Sequence, residues 1–466
     1  MAHYLEINEG GSAVAVLSGN TAYMLTEYTP QSPEKRSQSR VGLTDGGEID
    51  MPLYENPTET IEASVLGAST TAVQSNLGAI EKALYSAKLR QMLRAGNKVY
   101  LYYQVDGDST LYRSEILDGR LEIITGGMAI WGNKHLPVRI HITRRYYWEA
   151  VTATELQLSS KASGTPATGG KTIHNQNDAS EGNYVQIASS QVTGTLPAPI
   201  KISLLNNSGS AKSYRNIYMA VNAFNDPANF THFQEGESSI YSGWGTAVTG
   251  QTSCSNNGHV TRTFAAGGTD YFKWTLSSAL LQDTMGRRFR LLARFNGYTT
   301  GTTAIKVKPV IMDNTGAITL DADEEITLPA TQTDLVDLGV LPLPPGGYDP
   351  LGAAHVLALA MRSTLASATV NLDFIQITPT DAYRHIAMLG NQIANNDAIV
   401  DDGLENQVYS LEGGVHHYIL SPRGAPLMVW PGLTQRIYIL HDTGASAPIT
   451  STFSVAAWYR PRRLTI

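Results

Sequence analysis

Short runs of alternating apolar and polar residues recur along almost the whole chain, and once the spacing changes to that of a helix. Between residues 71 and 95, Val73, Leu77, Ile80, Leu84 and Ala87 follow one another at intervals of four and three, which lines one face of an α-helix. Thr71 with Gln74 three residues later has the pattern of a capping box, and Gly96-Asn97 tolerates the left-handed conformation at a helix end. That apolar face must be buried, and the flanking segments offer a sheet to bury it. Ahead of the helix, residues 12–17, 22–28, 48–53 and 59–65 have the β-branched and aromatic content of strands, punctuated by glycine turns. Behind it, strands are expected at 98–104, 110–116, 120–124, 128–131 and 136–147, with Asp106-Gly107-Asp108 closing a hairpin. The stretch 29–46 is polar and aperiodic, a loop expected to be either free or ordered by a neighbour.

Beyond residue 152 the pattern changes. Residues 153–182, with SSKASGTPATGGKTIHNQNDASEG, read as a polar connector. Strands are then expected at 183–189, 200–205 and 216–221, and at roughly ten-residue spacing over 271–276, 289–295, 304–311, 325–328, 335–341 and 369–377. Such spacing suggests a β-sandwich or jelly roll. AAHVLALAMRS, at 353–363, scores as a helix or a buried strand, and its place between strands favours the strand; LPLPPGGYDP, at 341–350, is a loop. A short helix is expected near Tyr383 and a turn at Asp401-Asp402-Gly403, followed by strands at 408–411, 415–420, 428–430, 436–441 and 452–460. The fold class is therefore mainly β, with one flanking helix in the first 152 residues.

Composition narrows the function. A length of 466 residues exceeds what one core serves, so several domains are expected. The formal charge of -7 lacks the basic excess of a nucleic-acid-binding surface. One cysteine, Cys254, rules out an internal disulfide framework. No basic leader followed by an apolar run opens the sequence, and no stretch of about eighteen apolar residues occurs, so synthesis in the cytoplasm without membrane insertion is expected. No nucleophile elbow, P-loop or dinucleotide fingerprint is present, which argues against an enzyme, and no cofactor or metal is implied. His416-His417 would point to opposite faces of a strand, and the acids Asp321, Asp323, Glu324 and Glu325 lack the glycine geometry of a calcium loop. Arg460, Arg462 and Arg463 are expected to face solvent or the acids of an adjacent subunit. Four aromatics, Tyr241, Trp244, Tyr271 and Trp274, are candidates for a saccharide-binding face, because flat apolar rings with polar tips suit sugars.

The order of strands, one helix and further strands ending in RIHITRRYYWEA resembles the N-terminal belt domain of siphophage distal tail proteins, and through it the tail-tube fold. KTIHNQNDASEGNYVQI with TGTLPAPIKISLLNNSG is similar to the opening of the galectin-like domain of that family, and APLMVWPGLTQRIYIL to its closing pattern. The resemblance implies a tail-tube-like barrel or sandwich over residues 1–152 and a galectin-like β-sandwich opening at 183–222. It further implies an inserted jelly-roll, carbohydrate-binding-like module over 223–382 and a C-terminal segment, 383–466, completing the galectin-like domain. It also implies a structural virion protein at the tail tip, in a homo-oligomeric, hexameric ring between the tail tube protein and the tail hub, with the tape-measure protein as neighbour. DNA would pass through an acidic lumen without specific binding, and host surface polysaccharide would meet the outer modules. The alternatives are a tail adhesin without a tube role and a polysaccharide depolymerase.

Overall fold

The computed structural model describes residues 4–36, 39–41, 47–49, 53–124, 134–177, 181–223, 233–237, 245–276, 288–300, 305–313, 316–322, 324–331, 335–342, 355–380, 382–388, 392–418, 420–442 and 453–466. The expected strand 128–131 and the loop over 343–350 lie outside them. The chain divides into two compact units, the first made of residues 1–154, 193–196 and 460–466, the second of 155–192 and 197–459.

In the first unit a nine-stranded antiparallel sheet runs in the order Ser12–Val16, Tyr4–Glu9, Val99–Gln104, Tyr112–Ile123, His135–Arg144, Thr58–Leu66 and Tyr23–Glu27, with Trp148–Ala150 beside Tyr112–Ile123 and Arg462–Arg463 beside Trp148–Ala150. Where two strands were expected, Tyr112–Ile123 is a single strand with a register shift between Ile116 and Asp118. The bulge bends it, so that its first half pairs with Val99–Gln104 and its second with His135–Arg144. Gly119 follows the bulge, and a Cβ there would lie 2.7 Å from Leu84 Cδ2. The missing side chain is what lets the helix lie against the bend.

That helix spans Thr70–Leu93. Ser69, not Thr71, is the N-cap: its hydroxyl accepts from the Ala72 amide at 3.1 Å. The end comes two residues before the glycine expected there, at Arg94 in the left-handed region (φ 53), and the Arg90 guanidinium donates to the carbonyls of Arg94 and Gly96. Val73, Ile80, Ala83, Leu84 and Ala87 are buried on the sheet, while Leu77 is only partly covered. Within the expected loop 29–46, the described residues form parts of two short ladders, Lys35–Arg36 with Leu53–Tyr54 and Ser39–Val41 with Gly47–Ile49. Its base is held by an ion pair whose side chains are fully buried, Arg144 with Glu59 at 2.7 Å; Tyr28 and the Gln31 amide also donate to Glu59.

The second unit holds two sandwiches. In the first, an eight-stranded sheet places Phe453–Tyr459, Ala198–Asn206, Ala398–Asp402, Gln407–Glu412 and Val415–His417 side by side. A six-stranded sheet runs Leu158–Ser160, Tyr184–Ile187, Gln435–Asp442, Asn216–Ala223, Tyr383–Ala387 and Ser421–Arg423. Ile200, Ile202 and Leu204 meet Ile217, Ile437 and Ile439 in one core. Residues 153–182 are not a connector, because Leu156, Leu158 and Ile173 enter this core and the segment supplies strands to both sheets. Tyr383 opens a strand rather than a helix, paired with Asn216–Ala223 from Ala387↔Asn216 to Tyr383↔Ala220. Asp401 and Asp402 also lie in a strand; Asp401 accepts both forks of the buried Arg384 guanidinium, and the turn begins at Gly403, where a Cβ would sit 2.4 Å from the Ile200 carbonyl.

Between the paired strands Asn216–Ala223 and Tyr383–Ala387 the chain builds the second sandwich. One sheet orders Thr246–Thr249, Gly258–Thr263, Thr369–Pro379, Arg288–Tyr298 and Leu335–Pro342; the other orders Thr269–Thr275, Val356–Ser363, Ile305–Met312 and Ile318–Asp321. Val356–Ser363 reads ambiguously because it is buried on both sides: Leu357, Leu359 and Met361 enter the core while Val356 and Ala358 join a second cluster with Val310 and Met312. Tyr218, Tyr383 and Leu440 of the first sandwich pack with Phe233, Leu292, Leu335 and Phe374 of the second.

Leu84→Asp places a carboxylate in a site that is 2% exposed and should destabilise the first unit by about 4 kcal/mol or more, whereas Leu77→Asp should cost about 1–2 kcal/mol. Calorimetry should show the first unit's transition falling in this order with the second unit's unchanged.

Candidate functional site

The four aromatic candidates separate. Tyr241 and Trp244 lie outside the described residues. Tyr271 and Trp274 share the strand Thr269–Thr275, but they fall on opposite faces because side chains alternate along a strand. Tyr271 is half-buried beside Val356 and Ala358, with the Lys273 ammonium 5.5 Å from its ring centroid. Trp274 is 1% exposed, packed in the core, and its indole N–H donates to the Glu235 carbonyl at 3.1 Å. It therefore offers no face to a sugar, and these two residues do not form one surface.

Around Trp274 the second sandwich buries a polar network. Arg294 is ion-paired with Asp373 and donates to the Ser253 carbonyl; the Ser255 amide donates to Asp373 at 2.9 Å and its hydroxyl to Glu235 at 2.7 Å. Burial pushes the Asp373 carboxyl up to about 7, against the opposing pull of Arg294 and the Ser255 amide. Burial, reinforced by Asp373, pushes the neighbouring Cys254 thiol up to about 12, while burial lowers His259, whose Nδ1 lies 3.6 Å from the sulfur. A neutral thiol beside a neutral imidazole is not an activated nucleophile. Two of the acids of 321–325 are engaged: Asp321 pairs with Lys308, and Glu325 with Arg362 at 2.6 Å and Lys306 at 3.4 Å, Asp323 being outside the described residues. His416 stacks on Tyr409 at 4.3 Å. No group of three or more His, Cys, Asp or Glu suited to a metal ion is found among the described residues.

A cavity lies elsewhere, on the face of the eight-stranded sheet that turns away from the sandwich core. It has a volume of about 420 Å³. Its floor crosses four strands: Ser454, Leu205, Ala398 and Leu411 are opposite one another in one row, and Ala456 and Ser203 in the next. Trp458 stands at one end, and Glu155, Asn396, Asp397 and the glycine pairs Gly169-Gly170 and Gly413-Gly414 complete the lining. Sequence reasoning passed over these residues. The signals were the alternation of SVAAWY, which sets Trp458 outward beside small residues, and the two glycine pairs, one just before the strand Lys171–Ile173 and one in the turn between Gln407–Glu412 and Val415–His417.

In the first unit Arg462 and Arg463 have partners within the chain. Arg462 donates to Glu149 at 3.2 Å and lies over the Tyr147 ring, and Arg463 lies over Tyr112.

No family model matches the sequence, and no curated protein matches it. Solved structures give faint likenesses. The SPP1 Dit protein, described as a paradigm of the hub adsorption apparatus in phages infecting Gram-positive hosts, shares 11% identity over 79% of this chain and 98% of its own, with a TM-score of 0.27. A chain of the phage P2 baseplate in its activated conformation with calcium shares 9% over the whole of both chains, with a TM-score of 0.31. The isomalto-dextranase of Arthrobacter globiformis, complexed with panose, shares 12% over 42% of this chain and 34% of its own, with a TM-score of 0.24. Likenesses at these scores do not bear on what this chain does.

A carboxyl whose folded pKa lies above its unfolded value of about 3.9 holds its proton more tightly when folded. Asp373 therefore stabilises the fold at low pH, and that contribution is lost as pH rises from about 4 to about 7. Asp373→Asn imitates the protonated form at every pH, so the Tm difference between the natural protein and this variant should shift in the variant's favour between pH 5 and pH 8.

Proposed function

We propose that this protein is a structural component of a bacteriophage tail, a distal tail protein at the tail tip. In this reading the first unit, as the belt domain, assembles into a homo-oligomeric ring, hexameric as in the family it resembles, between tail tube and hub, with the tape-measure protein as neighbour. The first sandwich is the galectin-like domain. The second is the inserted carbohydrate-binding-like module, and both are displayed outward toward host surface polysaccharide.

The observation that carries the reading is where the uncovered apolar surface lies. Nine large hydrophobic side chains are exposed among the described residues, and five of them, Met24, Tyr85, Met92, Leu93 and Ile123, belong to the first unit, although it is the smaller. Three are on its helix: Tyr85 is 62% exposed, Met92 69% and Leu93 66%. With one face buried on the sheet, such a helix would normally present charge to water; a second apolar surface near its C-terminal end suits contact with another subunit. A negative chain, -7 overall, suits a channel through which DNA passes without adhering. Among the described residues no helix is long and apolar enough to cross a membrane.

Mass photometry and electron microscopy of the purified chain should show a closed ring with an open centre. Met92→Lys with Leu93→Lys keeps the helix, since cations suit its C-terminal end, and should reduce the ring to monomers without lowering the Tm of either unit. A natural protein that stays monomeric at tens of micromolar overturns the reading.

A further inference from the structure

We propose that the groove on the outer face of the eight-stranded sheet binds a neutral oligosaccharide, through an end of two or three sugar units that carries no carboxylate, sulfate or phosphate. The inference extends the displayed-module half of the reading above and is independent of the ring.

The floor is shaped for a flat ligand. Ser203, Ala398, Ser454 and Ala456 are small, and they leave a depression across adjacent strands bounded by Trp458 at one end and Leu411 at the other side. About 420 Å³ falls within the range of small-ligand sites. The rim is built so that side chains do not close it. Gly169, Gly170, Gly413 and Gly414 all have positive φ, and Asn396 shares that conformation at φ 71. At Gly170 the requirement is also steric, because a Cβ would stand 2.4 Å from the Ser454 hydroxyl and fill the edge of the depression.

The chemistry of the lining selects the ligand. Glu155 accepts from the Gly169 amide at 2.7 Å through one oxygen, and Asp397 accepts from the Gly413 amide at 3.0 Å through one oxygen. Those bonds fix each carboxylate and leave its second oxygen to accept a ligand hydroxyl. Asn396, Ser203 and Ser454 add groups that both donate and accept. Two fixed carboxylates with no cation in the lining oppose an anionic ligand. Lys201 lies 6.0 Å from the Trp458 ring centroid and is itself paired with Asp402 at 3.5 Å, and the Lys171 ammonium, next to Gly170 in the chain, donates to the Ser163 hydroxyl and the Thr165 carbonyl. An indole face beside hydroxyl-reading carboxylates is the combination that a sugar ring, apolar on one face and hydroxylated at its edge, can satisfy in full.

The test is a glycan array followed by calorimetric titration of the full chain with the neutral oligosaccharides that score. Trp458→Ala and Asp397→Asn should each weaken binding by tenfold or more with unchanged Tm, and Tyr271→Ala should leave it unaltered. Absence of binding across the array, exclusive binding of anionic glycans, undiminished binding by Trp458→Ala, or binding of lysine-rich peptides in place of sugars each overturns the proposal. Ring formation measured on the same samples shows whether the assembly reading stands or falls separately.

Discussion

One carboxylate joins segments more than 300 residues apart in this chain. Glu149 accepts from the Arg113 guanidinium at 2.9 Å through one oxygen and from Arg462 at 3.2 Å through the other, with all three side chains largely buried. The arginines are in turn laid over Tyr100 and Tyr147. Such a triad is not chiefly a source of stability, because desolvation offsets much of the attraction; its force is that removing one member strands the others, at a cost of about 3–5 kcal/mol. Arg462 and Arg463 are thereby made part of the first unit's sheet. Gly194 adds to this, since a Cβ there would collide with the Arg462 carbonyl at 2.4 Å.

From that constraint the rest of the architecture follows as nested insertion. Everything from 155 to 459, except the return at 193–196, is a loop whose two ends are secured in the first unit. Within it, the chain from 224 to 382 is in turn a loop between two strands already paired in register, Asn216–Ala223 and Tyr383–Ala387. A sheet tolerates growth at such points because its own ladders stay intact while loop-closure entropy rises only slowly with length. Under the proposed function, the inserted parts of the chain specialise in recognition while the first unit keeps the surface that assembles. The exposed side chains of the helix and the glycine-rimmed groove fall on the two sides of that division.

Much of this order was written in local pattern. The helix, most central strands and the buried strand at 356–363 were legible because each carries its own periodicity and turn residues. The misses share a cause, which is long-range pairing. Leu156, Leu158 and Ile173 sit too sparsely among polar residues to announce a strand, and only the finished core explains them. Tyr383–Ala387 looked helical until paired with a strand more than 150 residues earlier, and Asp401 looked like a turn until Arg384 satisfied its charge. The candidate sites divide in the same way. Aromaticity alone could not tell that Trp274 faces the core, nor that Trp458 faces a cavity, since that depends on which side of each sheet is covered.

The claim at the centre of this account is that the first unit is covered by other subunits and the second is displayed. Hydroxyl-radical footprinting of the assembled protein tests it most directly, because Met92 and Tyr85 in the first unit and Tyr418 in the second are all exposed in the isolated chain, at 69%, 62% and 59%. The account predicts that Tyr85 and Met92 are shielded while Tyr418 and Trp458 react. Free oxidation of Tyr85 and Met92 with Tyr418 shielded would contradict it.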